Sequence, residues 1–161
     1  MEYTRKGRAV TYVHYGHKEF DTRRFKAITN LGIVGIKPSG GLWASPVEAE
    51  RSWKEWCECE DFRDCREDVS FRFTMRNPDK IFYIDSEESF KEFAGRYGKM
   101  DDTIWRLAGD SVVFIDFEKM LRDGWDALEI SLTNYWRLYD LLYGWDCDSI
   151  VVLNRDAVVP V

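Results

Sequence analysis

The feature that most constrains the fold is a pattern that occurs twice in the C-terminal part of the chain. In each copy a predicted helix ends at a Gly-Trp-Asp tripeptide, and a predicted strand follows. The helices are predicted over residues 116–123 and 134–143, the tripeptides occupy 124–126 and 144–146, and the strands cover 127–131 and 149–153. Glycine commonly caps the C-terminus of a helix. The pattern therefore predicts two successive returns of the chain to one sheet, with a tryptophan packed under each corner.

Four earlier segments have strand character, because β-branched and aromatic residues are concentrated in them or alternate with polar ones. They cover residues 8–15, 42–44, 70–76 and 81–84. Helices fall irregularly between the strands, without the strict alternation of a doubly wound sheet. The length of 161 residues suits one domain. We therefore predict a single α+β domain over residues 1–161, with a mixed or antiparallel sheet and flanking helices.

Two further helices are predicted from signals at their N-termini. Ser45 as N-cap, Pro46 at the first helical position and Glu48 at the third predict a helix over residues 46–57. The spacing of its apolar residues predicts a buried face that carries Ala49, Trp53 and Trp56.

The second of these helices is predicted from Asp85 and Glu88, which together form a capping box. We expect it to run to about Tyr97 and to end at Gly98. Its inward face is expected to carry Phe90, Phe93, Ala94 and Tyr97.

The charge balance excludes several classes of function. The chain has 29 acidic and 23 basic residues and a formal charge of −6, so no bulk attraction to nucleic acid is expected. No apolar run has the length of a membrane span, and no signal peptide opens the sequence. We expect a soluble, cytoplasmic protein without a membrane partner. Phosphate-binding glycine loops, dinucleotide fingerprints and the Gly-x-Ser-x-Gly motif are all absent from the sequence.

Three separate stretches carry residues that are candidates for ligand binding or catalysis. His14 ends the first predicted strand beside Gly16, where an imidazole reaches a ligand hydroxyl or phosphate, or simply a backbone carbonyl. Trp43 offers a stacking face and Ser45 a hydroxyl, although a core indole and an N-cap explain both residues equally well. Glu129 alternates with apolar neighbours in a late strand, so it faces either the core or, on an edge strand, the solvent.

Other polar clusters have simpler explanations. The spacing of Cys57, Cys59 and Cys65 favours reduced thiols and matches a zinc site poorly, so no metal is predicted. A metal-dependent nuclease would rest on Asp85, Asp116 and Asp126, which capping and turn formation largely account for.

In this order, the three stretches resemble motifs of the mono-ADP-ribosyltransferase family. The matching segments are Val13-His14-Tyr15-Gly16, Gly41-Leu42-Trp43-Ala44-Ser45 and the stretch from Gly124 to Ile130. The resemblance implies an ADP-ribosyltransferase-like fold and NAD as substrate, with Glu129 as the catalytic carboxylate. It further implies that His14 holds the adenosine-side ribose, that Ser45 orients the nicotinamide end, and that Trp43 or Tyr15 stacks on the nicotinamide. The NAD-contacting set is then His14, Tyr15, Gly16, Trp43 and Ser45.

The acceptor of the ADP-ribose group stays open. Ala127 stands where many protein-modifying members carry Glu or Gln, which argues against protein arginine as the acceptor. A protein, a nucleic acid and a small molecule are all compatible with the resemblance. The alternative hypothesis from another class is a non-catalytic acidic protein, of the kind found in mobile elements or among inhibitors, that binds a protein partner.

Overall fold

The strands form one large mixed sheet and a separate two-stranded ribbon. A computed structural model describes residues 3–5, 9–30, 38–99, 114–142 and 144–161. Within these ranges the strands are β1 (Tyr12–Tyr15), β2 (Leu42–Pro46), β3 (Ser70–Met75), β4 (Ile81–Ile84), β5 (Gly98–Lys99), β6 (Phe114–Ile115), β7 (Ala127–Ile130), β8 (Ser149–Val152) and β9 (Val158–Pro160). The helices are α1 (Trp53–Cys59), α2 (Glu87–Tyr97), α3 (Phe117–Arg122) and α4 (Leu138–Leu141), and 3-10 turns occur at Glu67–Val69, Pro78–Lys80 and Arg155–Ala157.

The large sheet has the strand order β4-β7-β8-β2-β1-β3-β9. Its neighbouring strands are antiparallel except for β4 and β7, which are parallel. A parallel pair needs a crossover connection, and α2 and α3 both lie in the chain between these two strands. The sheet confirms the predicted α+β class, the single domain and the mixed strand directions. No helix within the described ranges has the length and apolar character needed to cross a lipid bilayer.

Apolar residues cover both faces of the sheet. Val151 packs in one cluster with Phe82 and Leu128, whereas its neighbour Ile150 packs in a second cluster with Tyr12. Successive side chains of a strand point to opposite faces, so a strand between two clusters is buried at every position. This is the case for β7 and β8. Any polar side chain on either strand is therefore enclosed by the protein.

The two Gly-Trp-Asp corners lead into adjacent strands, as the sequence predicted. Gly124 and Gly144 have φ values of +90° and +89°, which favour glycine. The strands that follow, β7 and β8, are antiparallel neighbours. Trp145 is buried, and Trp125 packs against the same apolar cluster. The helix predicted over 134–143 is shorter, since α4 covers only Leu138–Leu141, and residue 143 lies outside the described residues.

The helix predicted over residues 46–57 is wrong in its first half. Ser45 and Pro46 belong to β2 and pair with β1, and the helix begins only at Trp53 with Ser52 as its N-cap. The pairing of a central strand outweighed the local capping signal. Trp53 and Trp56 are half-buried and stack on one another with ring centroids 5.1 Å apart. The expected core face is thus a partly exposed aromatic surface.

The helix predicted to run to about Tyr97 is confirmed as α2, but the prediction that Asp85 and Glu88 form its capping box is wrong by one residue. Ser86 is the N-cap of α2, and Ser89 is its reciprocal partner in the capping box. Phe90, Phe93 and Tyr97 are buried, and Ala94 packs against the core at the edge of the same cluster. Gly98 is the C-cap, as expected.

Candidate functional site

Two cavities lie beside the central strands. The smaller one, here called the histidine cavity, has a volume of about 270 Å³, and its walls include His14, Tyr15, Trp43, Trp53, Trp145 and Asp146. The larger one, here called the glutamate cavity, has a volume of about 470 Å³, and its walls include Arg5, Tyr83 and Glu129. The structure thus brings three of the predicted NAD-contacting residues together and places Glu129 at a different cavity.

His14 is held in one tautomer by its backbone partner. Its Nδ1 lies 2.7 Å from the carbonyl oxygen of Trp43, which can only accept a hydrogen bond, so Nδ1 carries the proton. Nε2 lies 3.1 Å from Nδ1 of His17. Burial lowers the pKa of His14 below its ordinary value of about 6.5, which keeps the imidazole neutral at pH 7. Nε2 of His14 is therefore a hydrogen-bond acceptor at the cavity wall.

The aromatic walls of the histidine cavity are built by strands β1 and β2, helix α1 and the loop before β8. The rings of Trp43 and Trp145 have centroids 4.8 Å apart. The hydroxyl of Tyr15 donates to Oε1 of Glu67 at 2.8 Å, and burial raises the pKa of Tyr15 above its ordinary range. Indole Nε1 of Trp145 is buried and has no hydrogen-bond partner among the described residues. A buried donor without a partner costs about 1–3 kcal/mol, which an acceptor on a bound molecule would recover.

Ser45 and Gly16 are not lining residues of this cavity, but each supports a residue that is. Oγ of Ser45 accepts the backbone N–H of Trp53 at 2.9 Å, and the serine is fully buried. It orients Trp53, which lines the cavity, and is not itself among the lining residues. Gly16 has a φ of +115° and donates its N–H to the carbonyl of Val69 at 2.8 Å. Their predicted direct contacts with NAD stay predictions.

The histidine cavity also has one acidic and one basic lining side chain among the described residues. Asp146 is half-buried and directly precedes Cys147 in the loop that leads into β8. Arg63 is exposed, and its guanidinium lies 5.3 Å from the ring centroid of Phe62. Phe62 in turn contacts Trp56, with ring centroids 5.3 Å apart. The aromatic surface of α1 thus supports a guanidinium beside the cavity.

Glu129 is enclosed in a hydrogen-bonded ion pair. Nε and Nη2 of Arg5 bind its carboxylate at 3.1 and 2.6 Å, and the hydroxyl of Tyr12 donates to Oε2 at 2.7 Å. Arg5 also lies over the ring of Tyr83, 4.3 Å from the centroid. Burial, followed by the nearby carboxylate, raises the pKa of Tyr12 far above its ordinary range. Since β7 lies between β4 and β8, the alternative of an outward-facing glutamate on an edge strand is wrong.

The cysteines and aspartates considered for a metal site do not come together in one site among the described residues. Among the residues described, no group of three or more His, Cys, Asp or Glu side chains has the arrangement of a metal site. Asp116 caps α3 and Asp126 accepts the side-chain amide of Asn154, which are structural roles. Burial and a hydrogen bond with Cys65 raise the pKa of Cys57 to about 12, so this thiol stays protonated and unreactive at neutral pH.

Comparison of the sequence with models of known protein families and with curated proteins, and of the fold with solved structures, found no match. The function is therefore interpreted from the geometry of the two cavities and from the motif resemblance.

Sequence reasoning missed several lining residues of the histidine cavity, among them Arg63, Trp145 and Asp146. The second Gly-Trp-Asp copy predicts Trp145 only as a tryptophan packed under a corner of the sheet. The second Gly-Trp-Asp copy is the signal for Trp145 and Asp146, because it precedes β8. Strand β8 pairs with β2, which pairs with β1, the strand of His14. That adjacency is a property of the sheet order and has no local trace in the sequence.

Proposed function

We propose that the protein is an NAD-dependent ADP-ribosyltransferase, or an NAD hydrolase when water is the acceptor. The supporting observation is that His14, Tyr15 and Trp43, assigned to NAD by the motif resemblance, line one cavity together with a carboxylate, Asp146. Its volume of about 270 Å³ is at the lower end of small-molecule sites. It would therefore enclose the nicotinamide riboside end of NAD and leave the remainder along the surface.

The walls suit the nicotinamide ring. Tyr15 and Trp43 offer aromatic faces for stacking on a flat, electron-poor ring. Nε1 of Trp145, which has no hydrogen-bond partner among the described residues, would donate to the carboxamide oxygen of nicotinamide once the side chain turns toward it. Nε2 of His14 would accept a hydroxyl of the nicotinamide-side ribose, in place of the adenosine-side ribose that the resemblance implies, and the guanidinium of Arg63 would bind the phosphates.

Asp146 takes the carboxylate role in this proposal. When the bond between ribose C1′ and the nicotinamide nitrogen breaks, its electron pair leaves with the nicotinamide, which becomes neutral, and positive charge develops on the ribose. A carboxylate beside the ribose stabilises that charge. The acceptor then bonds to C1′ and releases its proton. Glu129 lines the other cavity, whereas Asp146 lines the cavity of His14, Tyr15 and Trp43, and this is why Asp146 is preferred.

The deciding experiment measures nicotinamide released from NAD by chromatography. We expect Asp146→Asn to lower the rate at least about 100-fold, the usual effect of losing one electrostatic contact to the transition state. The matched control is Asp140→Asn in the exposed part of α4, which should keep the wild-type rate.

Each other result has a defined meaning. Full activity in Asp146→Asn, with loss in a folded Glu129→Gln variant, would return the catalytic role to Glu129. The absence of both nicotinamide release and NAD binding at millimolar NAD would reject the proposed function.

A protein-binding function is the second candidate, and an exposed aromatic pair favours it. Trp136 and Tyr139 are 53% and 42% exposed, and their rings stack with centroids 5.1 Å apart. Aromatic residues of this kind are enriched at protein interfaces. This hypothesis predicts a stable complex with a protein partner that forms without NAD, is retained in Asp146→Asn and is lost in Trp136→Ala.

A further inference from the structure

Nε2 of His14 is already occupied by a side chain of the protein itself. Because Nδ1 of His14 donates to Trp43, its Nε2 can only accept, and the atom facing it is Nδ1 of His17 at 3.1 Å. His17 must therefore carry its own proton on Nδ1 and donate it. The two rings are nearly parallel, with an interplanar angle of 11° and centroids 5.4 Å apart.

We propose that His17 competes with the ligand for Nε2 of His14, and that it moves aside when a hydroxyl group of the ligand binds there. The inference rests on the proposed function, since it takes a ribose hydroxyl of NAD as the competing donor. His17 is then a positioning residue that stands in for the ligand hydroxyl. It satisfies Nε2 of His14 and lowers the apparent affinity of the cavity.

The local backbone supports this movement. His17 is exposed and follows the end of β1 at Tyr15, so no strand pairing holds it. Gly16 lies between the two histidines with a φ of +115°, and its N–H is anchored to the carbonyl of Val69. The turn before His17 is thus fixed, while the imidazole itself is held by one hydrogen bond and one ring contact to His14.

The size of the effect follows from the hydrogen bond that is exchanged. A neutral hydrogen bond in a protein contributes about 0.5–1.5 kcal/mol net, which corresponds to about a 2- to 12-fold change in a dissociation constant. Removing the competing donor should therefore tighten ligand binding by a factor in that range.

The test is a titration of NAD into wild type, His17→Ala and Lys18→Ala at pH 8.5, above the ordinary pKa of imidazole. We expect the dissociation constant of His17→Ala to fall about 2- to 12-fold, and that of the control Lys18→Ala to stay unchanged. An unchanged or weaker affinity in His17→Ala, with NAD binding retained in wild type, would overturn the competition.

A second measurement separates this inference from the proposed function. The ¹⁵N resonance of His14 Nε2 reports whether that atom accepts a hydrogen bond, and it requires no ligand. We expect it to shift between wild type and His17→Ala. If NAD binds to none of the proteins, both the proposed function and the competition are rejected. The ¹⁵N resonance then decides by itself whether His17 donates to Nε2 of His14. An unchanged resonance position in His17→Ala would show that it does not.

Discussion

Burial and position in the fold distinguish the roles of two carboxylates, Glu129 and Asp146. Glu129 is 1% exposed and receives a bidentate guanidinium and a phenol hydroxyl, so its oxygens are already engaged by the protein. Asp146 is half-buried at the wall of an open cavity. A charge enclosed on a central strand needs fixed partners to be tolerated, whereas a charge at a cavity wall can interact with a ligand.

The first prediction concerns the ion pair of Glu129. We expect Arg5→Met to lower the free energy of unfolding by about 3 kcal/mol, because it leaves a buried carboxylate without its charge partner. The matched control is Arg23→Met, which breaks an exposed ion pair with Asp21 and should have a much smaller effect. Urea denaturation monitored by tryptophan fluorescence measures both. Equal effects of the two substitutions would contradict the structural role of Glu129.

At the scale of elements, the entry into α1 shows how tertiary contacts displace a local signal. Ser45 does satisfy an N-terminal amide of α1, as its residue type predicted, but it does so from β2 across a six-residue connection. Residues 47–52 form turns between the two elements. Gly40 is a second position where a tertiary contact decides the residue type. A Cβ there would lie 2.3 Å from the backbone oxygen of Ala27. The small size of Gly40 thus serves a close approach of two backbone segments.

The second prediction tests Ser45 as the link between β2 and α1. We expect Ser45→Ala to destabilise the protein by about 1–3 kcal/mol, because the N–H of Trp53 loses a buried acceptor. Ser52→Ala removes a longer N-cap bond of 3.3 Å at a more exposed position, and we expect about 0.5–1 kcal/mol. Chemical denaturation ranks the two variants. A smaller loss in Ser45→Ala than in Ser52→Ala would show that the buried bond does not hold Trp53.

At the scale of the whole molecule, several ionisable groups share one direction of pH dependence. The pKa of His14 is lowered by burial, and hydrogen bonds from Arg23 and Lys54 lower the pKa values of Asp21 and Glu67. For each of these groups the unfolded chain binds protons more readily than the folded protein. Their contributions to stability are therefore present above the unfolded pKa values and are lost as the pH falls through the folded ones.

The third prediction follows from this sign. We expect the free energy of unfolding to be level near pH 8 and to begin to fall below about pH 6.5, where His14 of the unfolded chain becomes protonated. It should fall further below about pH 4.5, where the carboxylates of the unfolded chain become protonated. His14→Asn keeps a donor for the carbonyl of Trp43 but does not titrate, so it should flatten the first decline only. Urea midpoints measured from pH 4 to 8 test this, and an identical first decline in His14→Asn would assign it to another group.

The sequence by itself determined the α+β class, most strand positions, the buried face of α2 and the two glycine corners, because these depend on local periodicity and backbone preference. It also singled out His14, Tyr15 and Trp43, which the structure brings to one cavity. Only the tertiary structure decided that β8 lies between β7 and β2. This order encloses Glu129 with Arg5 and carries Asp146 to the cavity of His14. The physical reason is that strand order is set by the burial of both faces of the sheet, a sum over distant residues that no local pattern records.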